Sequence, residues 1–79
     1  QLSREAEQLE QRELLDVAYA RVRARVKAPI WQAFELLTLG EFAAEDAAEM
    51  LGVSRATVYL WNLRIRQMLA AEITGLDGG

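Results

Sequence analysis

The sequence contains no cysteine and no histidine. Disulfide frameworks and thiolate chemistry are therefore excluded, and the commonest transition-metal ligands are missing. Neither metal-dependent catalysis nor a cofactor is expected. A single proline, Pro29, interrupts 79 residues, and no stretch alternates polar and apolar residues over strand length, so a β-sheet has no support. No internal repeat is present. No apolar run approaches the about 18 residues that a membrane span needs, and the N-terminus lacks the basic-then-apolar layout of a signal peptide. A cytoplasmic protein without a membrane partner is the expectation, and the start at Gln1 rather than Met reads as the edge of an excised domain.

What the chain does contain is helix formers, enough for one modest core. Residues 2–26 lack Pro and Gly and are rich in Leu, Ala, Glu, Gln and Arg, which predicts a long first helix. Leu15, Ala18, Tyr19, Val22 and Val26 recur at three- and four-residue spacing and define its buried stripe. Before Leu14 the stripe thins to Leu2, Ala6 and Leu9 among Glu5, Glu7, Glu10 and Glu13, so residues 1–13 read as a solvated helical extension or linker. Pro29 at the first helical position, with Ala28 just outside, predicts the start of a second helix. Ile30, Ala33, Phe34 and Leu37 share one face of it, Trp31 is a further core anchor, and Gly40 stands near its C-terminal cap.

Residues 43–51, AAEDAAEML, predict a short third helix with Ala44, Ala47, Ala48 and Leu51 inward. Gly52 permits a sharp turn, Val53 plugs it, and Ser54 caps a fourth helix carrying Val58, Trp61, Ile65, Met68, Leu69 and Ile73 at helical spacing. Asn62 is expected half-exposed, and Gly75, Gly78 and Gly79 to release residues 75–79 as a disordered tail. The fold expected is all-α: a four-helix domain over residues 14–74 with a C-terminal helix-turn-helix.

Nine Lys and Arg against twelve Asp and Glu leave a net charge of −3, which argues against a nonspecific nucleic-acid coat. Distribution matters more than the total. Acids concentrate in residues 1–16 and 41–49, while Arg21, Arg23, Arg25 and Lys27, and then Arg55, Arg64 and Arg66, form two basic zones. Both zones are candidate phosphate-contacting surfaces; the first alternates every second residue, which spreads charge around a helix and reads as solvated charge, with phosphate or polymerase contact as the alternative. Glu45, Asp46 and Glu49 keep a short helix wet and complement its dipole. No nucleophile, metal-ligand set or phosphate loop accompanies these carboxylates, so an enzyme is not expected.

A short helix, a glycine turn with a small apolar plug, and a Ser-capped longer helix form the pattern that presents a recognition helix to the DNA major groove. Ala48 lets the two helices approach, Val53 and Val58 fix their crossing, and Ser54 is expected to leave the first amides of the helix available near a phosphate. Over residues 14–73 the sequence resembles region 4 of extracytoplasmic-function sigma factors. The resemblance is carried by WQAF in the second helix, Ala47-Ala48, Leu51-Gly52-Val53-Ser54, Thr57-Val58-Tyr59, Arg64 and Leu69. The turn elements are general to bacterial regulators; the WQAF context favours sigma.

The resemblance implies a non-catalytic domain that reads promoter DNA near position minus 35. It also implies association with core RNA polymerase, mainly its β flap, and an anti-sigma factor as a further partner. Carried over by position, Tyr59, Leu60 and Leu63 face bases, Arg55, Thr57 and Arg64 lie near phosphates, and Ser54 opens the recognition helix. The first two helices fall where the family engages the flap tip or an anti-sigma factor. One departure stands out: the family's recognition helix commonly presents Arg, Lys or Ser outward, where Arg reads guanine bidentately. Tyr59, Leu60 and Leu63 imply weak or A·T-biased readout instead, or a protein partner. Two alternatives therefore stay open, a sigma-like interaction or dimerisation domain and a dimeric helix-turn-helix repressor.

Overall fold

Uninterrupted helix formers wind into α1, Leu2–Arg25, a single helix of 24 residues. The computed structural model describes residues 2–78, with side chains for 7, 8 and 11–75. Three more α-helices follow, α2 (Ala28–Phe34), α3 (Ala44–Leu51) and α4 (Arg55–Gly78), and the described residues contain no strand. The all-α expectation is met.

Ala18 and Val22 of α1 are fully buried against Ile30, Trp31 and Phe34 of α2 and Ile65 and Leu69 of α4, with Tyr19, Val26, Trp61, Met68 and Ile73 packed around them. Tyr19, Trp31 and Phe34 meet at ring-centroid distances of 5.1–6.0 Å, two of the three contacts being edge-on. Such pairs add about 0.5–1.5 kcal/mol beyond area burial. The expected stripe therefore holds, except at Leu15, which is 38% exposed while Leu14 is half-buried. Leu15 lines an open groove together with Phe34, Thr38, Arg66 and Ile73. The described side chains of α1 before Leu14, at 7, 8 and 11–13, are all exposed, and Leu2, Ala6 and Leu9 of the thinning stripe lie outside the described side chains.

The second helix departs from expectation at both ends. Lys27, with extended backbone, is the N-cap, so Ala28 is the first helical residue and Pro29 the second. Either position suits proline, because its missing N–H would be an orphan there. Beyond Phe34 the chain continues as a π-helical segment, Glu35–Leu39, closed by the Gly40 amide donating to the Glu35 carbonyl at 2.7 Å. Gly40 itself has a right-handed φ of −88°, and the left-handed residue is Glu41 at φ 56°. Glycine is needed at 40 for space: a Cβ there would sit 2.9 Å from Phe42 Cδ2 and 3.2 Å from the Leu36 carbonyl oxygen.

Helix α3 begins at Ala44 with Ala43 as its N-cap. Helix α4 continues past Gly75 to Gly78, where release had been expected; Gly79 lies outside the described residues. A pair of ion contacts ties α1 to α4. Arg21 and Arg25 donate to Glu72 at 3.4 and 2.9 Å, so half of the basic zone read as solvated is engaged in holding two helices together.

Candidate nucleic-acid interface

Small residues set how closely α3 approaches the start of α4. Ala44, Ala47 and Ala48 of α3 bury against Ala33 and Val58, and Leu51, Val53 and Trp61 pack around that cluster. A larger side chain at any of the three alanines would force the helices apart. The connection is fixed as firmly. Gly52 is left-handed, with φ 69° and ψ 33°, and no atom lies near the place of a Cβ, so glycine is required here for conformation. Its amide donates to the Glu49 carbonyl at 3.3 Å and the Val53 amide to the Ala48 carbonyl at 3.0 Å. These two bonds satisfy carbonyls that the end of α3 would leave open, and the partly buried Val53 seals the turn.

Ser54 then caps α4. Its Oγ accepts the Thr57 amide at 3.1 Å and lies 2.9 Å from the Thr57 hydroxyl. The cap narrows the expectation for the first amides: Ser54 occupies that of Thr57, and those of Arg55 and Ala56 are the ones left at the helix start. Thr57 is half-buried and bonded locally.

A rotation of about 100° per residue separates the faces of α4. Val58, Ile65 and Leu69 point into the core. Opposite them, Tyr59, Leu60 and Leu63 are 57%, 64% and 52% exposed. Exposed Ala56, Gln67 and Ala70 extend the same face. The three residues expected to face bases are therefore together and open to solvent. Of the residues expected near phosphates, Arg64 is exposed along one flank of this face. Arg55 lies along the other, where its guanidinium donates to Glu45 at 3.1 Å.

Two residues join the site beyond those expected at it: Arg66, which the sequence placed only in a basic zone, and Glu45. Arg66 is exposed and stands eleven residues from Arg55, close to three helical turns, so it shares that flank. The spacing alone contained this signal. Glu45 was read as a solubilising acid, yet it bridges α3 to the first turn of α4 and competes with any anion for Arg55. Asn62, half-buried as expected, accepts a hydrogen bond from the Thr38 hydroxyl at 3.4 Å and links α4 to the π-helical segment.

A separate depression crosses α1 and α2, lined by Tyr19, Ala20, Arg23, Trp31, Glu35 and Leu39. The Trp31 indole N–H donates to the Glu35 carboxylate on its floor. Gln32, Glu35, Leu36, Met50 and Leu51 border an adjoining one that shares Glu35, so exposed Leu39 lines the first and exposed Met50 the second. Among the described residues no group of three carboxylates converges to hold a metal ion, and no helix is long and apolar enough to cross a membrane. Compared with protein-family models, curated proteins and solved structures, the chain matches none.

Proposed function

We propose that the chain is a region 4-like promoter-recognition domain of an alternative sigma factor, binding the minus 35 element through α4 as a helix-turn-helix. The observation that carries the reading is the α3–Gly52–α4 arrangement: a glycine turn sealed by Val53, a Ser54 cap, and an outward helix face with arginines on both flanks. That arrangement answers the demands of a helix inserted into the major groove, where phosphates position the protein and base edges meet its exposed face. Tyr59, Leu60 and Leu63 take the base-facing role, and Arg55, Arg64 and Arg66 the phosphate contacts. The depression over α1 and α2 is the surface offered to core RNA polymerase or to an anti-sigma factor.

Fluorescence anisotropy on a random duplex pool over a salt series tests the DNA reading. Selective binding is expected, and Arg64→Ala should flatten the logarithmic salt slope by about 0.9, one phosphate contact. Absent or salt-insensitive binding overturns it. A pull-down with purified core polymerase tests the second surface, where Leu39→Asp should weaken retention.

One observation favours a second reading. Three exposed apolar side chains on adjacent turns also suit a protein partner or a second copy of the chain. Sedimentation as a monomer at high concentration counts against self-association. A footprint of two symmetric half-sites would instead favour a dimeric repressor.

A further inference from the structure

The outward face of α4 carries almost no hydrogen-bonding chemistry. Ala56, Leu60, Leu63 and Ala70 present only hydrocarbon, and Tyr59 adds a ring with one hydroxyl. Gln67, the only amide there, lies one turn beyond Leu63, away from the end of α4 that the turn presents. Charge is confined to the flanks, with Arg55 and Arg66 on one side and Arg64 on the other.

A hydrocarbon strip between two cationic edges is complementary to an apolar floor between two rows of phosphates. The DNA major groove offers that floor where thymines place their C5-methyl groups, and it admits one α-helix. We infer that Tyr59, Leu60 and Leu63 select duplex DNA by contact with thymine methyl groups, while the arginines hold the flanking phosphates. The inference rests on the DNA-binding reading above and names what that site recognises. Leucine at two of the three central positions leaves guanine and adenine edges without a bidentate partner there, so selectivity follows methyl positions.

The test separates methyl contact from DNA binding as such. Duplexes enriched from a random thymine-containing pool are remade with uracil for thymine, which removes only the methyl groups, and with 5-methylcytosine for cytosine, which adds them. For each contacted methyl lost, Kd should rise about fourfold, the equivalent of one buried CH₂ group. The salt slope should stay the same, because the phosphates are unchanged. Methylating cytosines within the contacted stretch should tighten binding. In Leu60→Ala with Leu63→Ala, both exposed positions, the thymine and uracil duplexes should converge in affinity.

Equal affinity for thymine and uracil duplexes, with salt-dependent binding retained, overturns the inference and leaves the DNA reading standing. Loss of all DNA binding by the wild-type chain overturns both. A thymine-to-uracil ratio that persists undiminished in the double variant refutes contact by these leucines. Self-association abolished by the same double variant assigns the face to a second copy of the chain and equally refutes methyl readout.

Discussion

Val58 and Leu63 stand on one helix five residues apart, and truncating each to alanine should give opposite results. Val58 is fully buried among Ala33, Ala44, Ala47 and Ala48. Val58→Ala removes two methyl groups, about 0.8 kcal/mol each by transfer. Its alanine neighbours have no side chain long enough to fill the gap, so a cavity contribution adds to this and brings the loss to about 2–3 kcal/mol. A chain of 79 residues unfolds with an entropy of about 0.17 kcal/mol/K, so the midpoint should fall by roughly 12–18 °C. Leu63 is 52% exposed, and Leu63→Ala should stay within about 0.5 kcal/mol of wild type. Thermal and urea unfolding followed by far-ultraviolet circular dichroism read both. A loss at Leu63 equal to that at Val58, or a harmless Val58→Ala, refutes the division of α4 into a core face and an open face. The same pair controls the binding experiments, because Leu63→Ala must lose selectivity without losing fold.

Four further substitutions probe individual features of the fold and the site. Glu45→Gln releases Arg55 from its exposed ion pair, so DNA affinity at low salt should rise about two- to fivefold with a steeper salt slope; unchanged anisotropy titrations would remove Arg55 from the phosphate contacts. Glu72→Gln breaks both contacts between α1 and α4 and should lower stability by about 0.5–1 kcal/mol, an effect that denaturation in roughly 1 M salt should largely erase. Glu41→Gly relieves a left-handed backbone and should stabilise by about 1 kcal/mol, whereas Gly40→Ala should destabilise by a similar amount through its clash with Phe42, both read as thermal midpoints.

Periodicity made the core legible. Ala18, Val22, Ile30, Ala33, Phe34, Val58, Ile65 and Leu69 recur at helical spacing and all are buried, and Gly52 and Ser54 announce the turn by residue type alone. The π-helical segment was not legible, since Glu35–Leu39 has ordinary helix-forming composition and the widened turn is a matter of which carbonyl the Gly40 amide reaches. Gly40 misled for a related reason. Glycine after a helix usually signals a left-handed cap, but here Phe42 and the Leu36 carbonyl require its small size and Glu41 takes the positive φ. The tail misled too, because isolated glycines lower helix propensity without ending a helix, and α4 runs past Gly75. Of the candidate site, the outward set Tyr59, Leu60 and Leu63 follows from the buried set by rotation. The contacts of Arg21, Arg25 and Arg55 with Glu72 and Glu45 join residues distant in sequence, which periodicity within one helix does not relate.

The charge distribution sets how strongly such a face holds DNA. Three arginines flank it, Arg55, Arg64 and Arg66, in a chain whose net charge is −3. If each neutralises one phosphate, the salt slope is about −2.7, and raising salt from 50 to 200 mM weakens binding roughly fortyfold. With Arg55 held by Glu45, two contacts remain and the loss is roughly twelvefold. Proteins that make six to ten phosphate contacts lose about 10³ to 10⁵ over the same range, so the proposed function requires affinity to rest less on phosphates and more on the apolar face. Under the proposed function that is sufficient, because a polymerase bound to the depression over α1 and α2 holds α4 at a high effective concentration near the promoter. A measured slope steeper than about −3 would require cations from elsewhere on the chain, and Arg21 and Arg25 could join only by giving up Glu72.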